Sequence, residues 1–255
     1  MIGLFDIDSL VYEACYSAND LEEAEESFWG RYNDVQYHMD KRYGKCTVIP
    51  IGFCTNNYRK KVDASYKAQR TSPKPEFFEE LILHIKENLN ILTRSGIETD
   101  DLVAKCLEHY GKDKSVIISI DKDYRQFECT IFNYRKREFI TIDKDQALYN
   151  LYEQMVVGDR ADNVLVCKGF GEKWCEKNLY GKNEYGMLRT VFTLYKKLYK
   201  GKAREKMIKT FMLLKLKVVY CKFIINTKTQ KQWQIREMNL YIKTYIQYIT
   251  MLIQY

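Results

Sequence analysis

The chain has 255 residues, 46% of them apolar and 29% charged, with 21 Tyr, three Pro and 12 Gly. That balance describes a globular protein of one large or two small domains and excludes disordered, collagen-like and low-complexity chains. No apolar run reaches the roughly 18 to 20 residues that cross a bilayer, and the opening MIGLFDID puts two acids where a signal peptide carries an apolar stretch, so the expectation is a cytoplasmic protein without membrane contact. The formal charge of +7 is uneven: residues 201–255 hold 11 Lys/Arg against 2 acids, a net of +9, and residues 1–200 hold 30 against 32, a net of −2. A second basic excess lies at 58–74, where Arg59, Lys60, Lys61, Lys67, Arg70 and Lys74 face Asp63 alone. Two basic regions on a near-neutral body suit a polyanionic partner.

In chain order, residues 2–7 read as a short buried strand and are followed by a helix with Leu10, Val11, Ala14 and Cys15 on one side. Residues 20–26 read as a solvent-facing acidic patch, 27–43 as a helix stopped by Gly44, and 46–53 as a second strand weakened by Pro50. The stretch 55–74 has no apolar period. A helix is expected from 76 to about 94, with Phe77, Phe78, Leu81, Ile82, Ile85, Leu89 and Leu92 as its stripe. A shorter helix from Thr99 ends at Gly111; a strand follows at 115–120, then a hairpin of 129–134 and 138–142. Strands alternating with helices predict a mostly parallel sheet in an α/β fold. From 144 onward the chain reads as mostly helical, apart from an ambiguous stretch at 218–225. The eight cysteines form no C-x2-C pair, which argues for free, mostly buried thiols rather than a zinc site or disulfides.

The informative acids stand where strands end. Asp6 and Asp8 close the first strand, and Asp121 and Asp123 close the strand before SIDKDYRQF. In a parallel sheet, ligands collect beyond the carboxyl ends of strands, so the two pairs are expected near each other. Glu98, Asp100 and Asp101 sit at a helix start, where acids also serve as first-turn residues behind Thr99 as cap. Each close pair of carboxylates costs about 4 kcal/mol at ~4 Å and an effective dielectric near 20. Such a crowd needs protons or cations, and hard divalent ions prefer oxygen ligands. Two such ions about 4 Å apart serve phosphodiester cleavage, so the chemistry implied is metal-assisted hydrolysis of a phosphodiester. His38, His84 and His109 lie in ordinary helical contexts. The stretch at 158–174 adds Asp159 and Asp162, whose spacing predicts one side of a helical turn. It continues into Gly169-Phe170-Gly171 before a helix with Lys173, a pattern that lets backbone N–H groups approach a phosphate.

Five blocks, FDIDSLVY, NNYRKKVDASYKAQR, GIETDDLVA, SIDKDYRQF and GDRADNVLVCKGFGEKW, occur in the order in which they occur in the 5′-nuclease family: flap endonucleases, phage 5′→3′ exonucleases and the N-terminal nuclease domain of bacterial DNA polymerase I. The chain resembles that family over about two-thirds of its length, with the flavour of a phage protein. The resemblance implies a PIN-like α/β core over 1–143, with a basic helical arch at 55–75. A mostly helical DNA-binding region over 144–255 would then hold a helix–two-turn–helix element at about 155–180. It implies that Asp6, Glu98 and Asp100, with Asp101 beside them, ligate one metal, and that Asp121, Asp123, Asp159 and Asp162 hold the other. The ions would be Mg²⁺, two or more, with Mn²⁺ as a substitute.

By the same resemblance, Lys67 and Arg70 steer or clamp the scissile phosphate, Tyr66 stacks on a base, and Arg59 and Lys60 contact a threaded 5′ strand. Gly169 and Gly171, with Lys173 behind them, hold the duplex backbone with a bound K⁺. The substrate implied is branched, nicked or RNA-primed duplex DNA with a 5′ end or flap, an RNA/DNA hybrid among the candidates, in phage DNA replication in the host cytoplasm. One departure stands out. Where the family carries an acid at the end of the second strand, this chain has Gly52, and Asp8 is an extra acid. The alternatives are a weakened, branched-DNA-binding relative and a PIN-type ribonuclease. Residues 238–255 read as a wide apolar helix with a narrow polar stripe, either buried in its own domain or docking a replication partner or a second copy.

Overall fold

The computed structural model describes residues 1–164 and 166–216. Among them, five strands form one sheet in the order β2-β1-β3-β4-β5: β1 (Ile2–Asp6), β2 (Thr47–Ile51), β3 (Ser115–Ile118), β4 (Cys129–Asn133) and β5 (Glu138–Ile142). The first four run parallel, and β5 closes the edge as the antiparallel arm of a hairpin with β4. This is the mostly parallel α/β sheet that the alternating pattern predicts.

Successive residues of a strand face opposite sides, and the sheet is buried on both. Phe5, Val116, Ile118 and Phe132 face α1 (Asp8–Tyr16), α2 (Leu21–Tyr43) and α4 (Phe78–Asn88), and pack against Leu10, Phe28, Met39, Leu81 and Ile85. Leu4, Ile51, Ile117 and Ile131 face the other way and pack against Leu102, Val103 and Leu107 of α5 (Thr99–Tyr110). Beyond the sheet, α6 (Lys144–Val157), α7 (Glu172–Leu179), α8 (Glu184–Tyr199) and α9 (Ala203–Leu214) share a separate core built on Met155, Leu179, Val191, Tyr195 and Met207.

Two local expectations, the solvent-facing acids and the strand through Pro50, gain a structural reason, and two others change. The acidic stretch 20–26 is the start of α2, because Asp20 caps it by accepting from Glu23 N–H at 2.8 Å and the acids complement the helix N-terminus. Pro50 is tolerated in β2 because that strand is the sheet edge. The helix expected to run to 94 stops at Asn88, and Leu92 instead runs beside β2, donating its N–H to Pro50 O at 2.9 Å. Asp159 and Asp162 lie in a tight loop rather than a helical turn, closed by reciprocal bonds between Asp159 and Val164. The segments at 218–225 and 238–255, and Cys221, lie outside the described residues. The seven described cysteines are free, and all but Cys54 are buried.

Candidate carboxylate centre and nucleic-acid interface

The parallel pairing of β1 with β3 sets Phe5 beside Ile118, so the chain leaves both strands at the same edge and carries its acids there. Asp6, the last residue of β1, is 4% exposed. Its Oδ2 accepts from Tyr124 O–H at 2.8 Å and its Oδ1 from Asp8 N–H at 3.2 Å. Burial, then the charge of Asp8, pushes the Asp6 carboxyl up to about 7, with Asp121 adding to the effect against the Tyr124 bond. Asp121 caps the short 3-10 turn Lys122–Gln126 and accepts from Asp123 N–H at 2.8 Å. Burial raises both, Asp123 to about 7 with Asp121 and Asp159 as further causes. Asp100 rises well above the carboxylate range through burial and then the charges of Asp6, Asp121 and Glu98. Acids from β1, from the β3 exit and from α5 therefore feel one another across a single cleft.

Glu98 is the N-cap of α5 and forms a capping box with Asp101, so the cap is Glu98 rather than Thr99. Asp159 and Asp162 join from the 159–164 loop, where Asp159 Oδ1 accepts from Ala161 N–H at 2.7 Å and Asp162 N–H at 3.2 Å. Cations line the same cleft. Lys67 pairs with Glu98 and stands 3.6 Å from Asp162; Arg70 Nη2 lies 2.6 Å from Asp162, and Lys122 Nζ 3.2 Å from Asp159. Burial works against the Lys67 charge, but Glu98 and Asp162 outweigh it and raise its pKa. Lys67 also sits at φ 56, in the left-handed region disfavoured for a residue with a side chain, held there by donating its N–H to Asp162 O at 3.0 Å.

The structure brings Asp6, Glu98, Asp100, Asp121, Asp123, Asp159 and Asp162 to one cleft. It does not leave Asp101 open to a metal. Asp101 is fully buried, and its two oxygens accept from Arg59 Nη1 at 2.7 Å and Nη2 at 2.9 Å. Nor does it leave Arg59 open to DNA. Arg59, in the one-turn helix α3 (Arg59–Val62), is 0% exposed, and its remaining N–H groups go to Glu98, Leu213 O and Lys215 O. Desolvating a guanidinium is tolerable only with such complete pairing. Tyr66 is also buried rather than offered to a base. Its hydroxyl donates to Asp162 at 2.6 Å and lies 3.1 Å from Glu98. Lys60, Gly169, Gly171 and Lys173 are exposed. Gly169 takes φ +88, Gly171 caps α7, and the space around both is open.

The donor set is hard: acidic oxygens, several of them buried with their charged forms penalised and, for Asp6, Asp100, Asp121 and Asp123, no ion pair among the described residues. That chemistry fits divalent cations of the Mg²⁺ type. As the side chains stand, no three His, Cys, Asp or Glu among the described residues close on one point, and Lys67, Arg70 and Lys122 engage Glu98, Asp162 and Asp159. Burial also raises the Asp8 carboxyl, which accepts from Phe53 N–H at 2.8 Å and Thr99 O–H at 2.6 Å, between the end of β2 and the start of α5. Sequence reasoning missed Gln154, which donates to Asp123 at 2.7 Å, and Tyr124 as the partner of Asp6. A neutral amide or phenol carries no pattern that marks it in advance.

No protein-family model matches the chain. Its sequence is similar to the DNA polymerase I of Caldicellulosiruptor bescii, 24% identical over 265 residues that cover 90% of this chain and 30% of the polymerase. It is also similar to the exodeoxyribonuclease of Enterobacteria phage T3, 28% identical over 67% of this chain and 64% of the phage protein. The 5′-3′ exonuclease of Mycoplasma pneumoniae is 23% identical over 68% of this chain and 63% of that one. The chain thus spans less than two thirds of each of these relatives. Among solved structures, the bacteriophage T5 D15 protein co-crystallised with metal ions superposes with a TM-score of 0.67 at 14% identity, covering 98% of each chain. The catalytic core of Rad2 in complex with a DNA substrate gives 0.52 at 16% identity, over 80% of this chain and 67% of that one. Among the described residues no helix is long and apolar enough to cross a membrane. In its motif blocks and in its mostly parallel sheet with flanking helices, the chain resembles the 5′-nuclease family.

Proposed function

We propose that the chain is a divalent-metal-dependent 5′→3′ exonuclease and flap endonuclease that hydrolyses phosphodiester bonds at the 5′ ends of branched, nicked or RNA-primed duplex DNA. The observation that carries this reading is the convergence of Asp6, Asp100, Asp121 and Asp123, from separate stretches of chain, into one cleft where burial and mutual repulsion raise their pKa values. The phage and bacterial exonuclease relatives support it.

Bound Mg²⁺ would supply Lewis acidity and a more acidic attacking water. Asp6, Glu98 and Asp100 would hold one ion and Asp121, Asp123, Asp159 and Asp162 the other, with Mn²⁺ as a substitute. Lys67 and Arg70, already in the cleft, would meet the scissile phosphate with positive charge, and Lys60 would track the 5′ strand. Exposed Gly169 and Gly171, with Lys173, would seat the duplex backbone, a K⁺ at that turn completing the contact. The domain division at 143/144 follows the same reading, as do action in the host cytoplasm and a replication partner or second copy at 238–255.

The test is a 5′-labelled flap duplex with Mg²⁺. The wild type should release the flap, and Asp121→Asn with Asp123→Asn should lose at least 100-fold in rate, on the order expected when charge stabilisation at the reacting phosphate is removed. No cleavage by wild type, or undiminished cleavage by the double variant, removes the proposal.

A second reading, a DNA-binding relative without turnover, is favoured by one observation: Gly52 stands at the end of β2, where the resemblance calls for an acid. Asp8 weighs against it, since its carboxylate lies beside Gly52 and within the same field as Asp6 and Glu98. Tight, salt-sensitive DNA binding without cleavage would favour the second reading.

A further inference from the structure

The two flanks of the acid cleft are fastened to the same short stretch of chain. On one flank, the Arg59 guanidinium that holds Glu98 and Asp101 also donates to Leu213 O at 2.8 Å and Lys215 O at 3.1 Å. On the other flank, Gln126 Nε2 donates to Leu214 O at 2.9 Å, and Gln126 Oε1 accepts from Leu216 N–H at 3.2 Å. The second N–H of Gln126 Nε2 goes to Gln154 Oε1 at 2.9 Å, and Gln154 Nε2 goes to Asp123 Oδ1 at 2.7 Å.

This chain of bonds has a fixed direction. The backbone of 214–216 offers one carbonyl and one N–H, so Gln126 can satisfy both in one orientation only, and that orientation aims its remaining N–H at Gln154. Gln154 must then present its carbonyl to Gln126 and its amide N–H groups to Asp123. Gln126 is 5% exposed, so a flipped amide would bury carbonyl against carbonyl. The relay holds one oxygen of the Asp123 carboxylate in place as a hydrogen-bond acceptor.

We infer that Gln154 and Gln126 are positioning residues of the acid centre: they transmit the register of the 214–216 backbone to Asp123 and fix the carboxylate for a divalent cation. The inference rests on the proposed nuclease reading. Partners behind metal-ligating groups commonly change affinity or activity 10–100-fold when removed, on the order seen for other metal sites.

The decisive variant is Gln154→Leu, which cuts the bond to Asp123 and leaves the Gln126 contacts to Leu214 and Leu216 in place. Gln154→Met is a second removal of the same amide with a flexible side chain. Mn²⁺ binding is followed by electron paramagnetic resonance, cleavage by flap release, and folding by urea titration, all on the full chain. The expected result is a 10–100-fold weaker Mn²⁺ site with a similar fall in kcat, an unchanged KM for the flap duplex, and a small drop in the urea midpoint, since one N–H of Gln126 loses its acceptor. Gln126→Leu should do the same and lower the midpoint further, because Leu214 O and Leu216 N–H lose their partner. A folded Gln154 variant that binds Mn²⁺ and turns over like wild type overturns the inference while leaving the nuclease reading intact. A wild type that neither binds Mn²⁺ nor cleaves overturns both.

Discussion

Asp8 Oδ1 lies 2.9 Å from the point where a Cβ on residue 52 would stand, and residue 52 is Gly. The same Cβ would meet Ile7 Cγ1 at 2.7 Å. Asp8 is pinned there by Phe53 N–H and Thr99 O–H, so it cannot swing away without losing both bonds. A side chain at 52 and the Asp8 carboxylate therefore compete for one volume. Gly52→Asp should destabilise the protein by about 1–3 kcal/mol, the usual range for overpacking a filled site, with like-charge repulsion added. Asp8→Ala introduced into that variant should recover part of the loss. A urea-denaturation double-mutant cycle measures the coupling, and purely additive effects would refute the competition.

Asp6 and Asp123 titrate near 7 in the folded chain against an ordinary 3.8. The folded state then holds more protons than the unfolded one between those values, so stability falls as pH rises through that window. With EDTA present, the protein should be more stable at pH 5 than at pH 8, by an amount on the order of a few kcal/mol. Mg²⁺ should stabilise it strongly at pH 8 and little at pH 5, since the acids must shed protons to bind it. Urea midpoints at both pH values, with and without Mg²⁺, check this. The EDTA slope should shrink in a variant carrying Asp6→Asn and Asp123→Asn, and an unaltered slope would refute the assignment.

Arg59 is a structural cation. Arg59→Met should cost about 3–5 kcal/mol, the range for stranding one member of a buried ion pair, because both Asp101 oxygens would lose the guanidinium N–H groups that they accept from. Adding Asp101→Leu should return much of that loss. Arg59→Lys should behave closer to Met than to wild type, since an ammonium cannot make the bidentate contact. Thermal melts of the four proteins decide it.

Asp63 is held down to about 2, first by its bond to Lys209, which stands 2.6 Å away, with Ser65 N–H and O–H adding to the effect. A lowered folded pKa contributes stability above the unfolded value of about 4 and loses it as pH falls through about 2. Asp63→Asn should cost roughly 0.5–1 kcal/mol at pH 7, discounted because the pair is partly solvated, and nothing near pH 2. Acid titrations of both chains by circular dichroism make the comparison.

The strand-ending acids could be read from the sequence because a parallel sheet sends its strand exits to one edge. Asp6 with Asp8 and Asp121 with Asp123 needed only that rule. Arg59 and Tyr66 were misread for a physical reason: their block is basic along the chain, and linear charge says nothing about partners 32 to 156 residues away. The early end of α4 was equally hidden. Leu89 and Leu92 continue the helical spacing, and the competing demand, pairing with β2 at Pro50, is a tertiary one. Gln154 and Gln126 carry no charge and no motif, so only their bonds reveal them.

Arg59 meets Leu213 across 154 positions, and Gln126 meets Leu214 across 88. During synthesis the sheet can assemble well before these partners exist, since its strands end by Ile142. The acids must then spend that interval crowded but unbraced, and protons or ambient Mg²⁺ are what would shield them until the ribosome has delivered residue 216. Contacts of such separation slow the final step of folding, so divalent salt should act on this protein as a folding aid as well as a reagent.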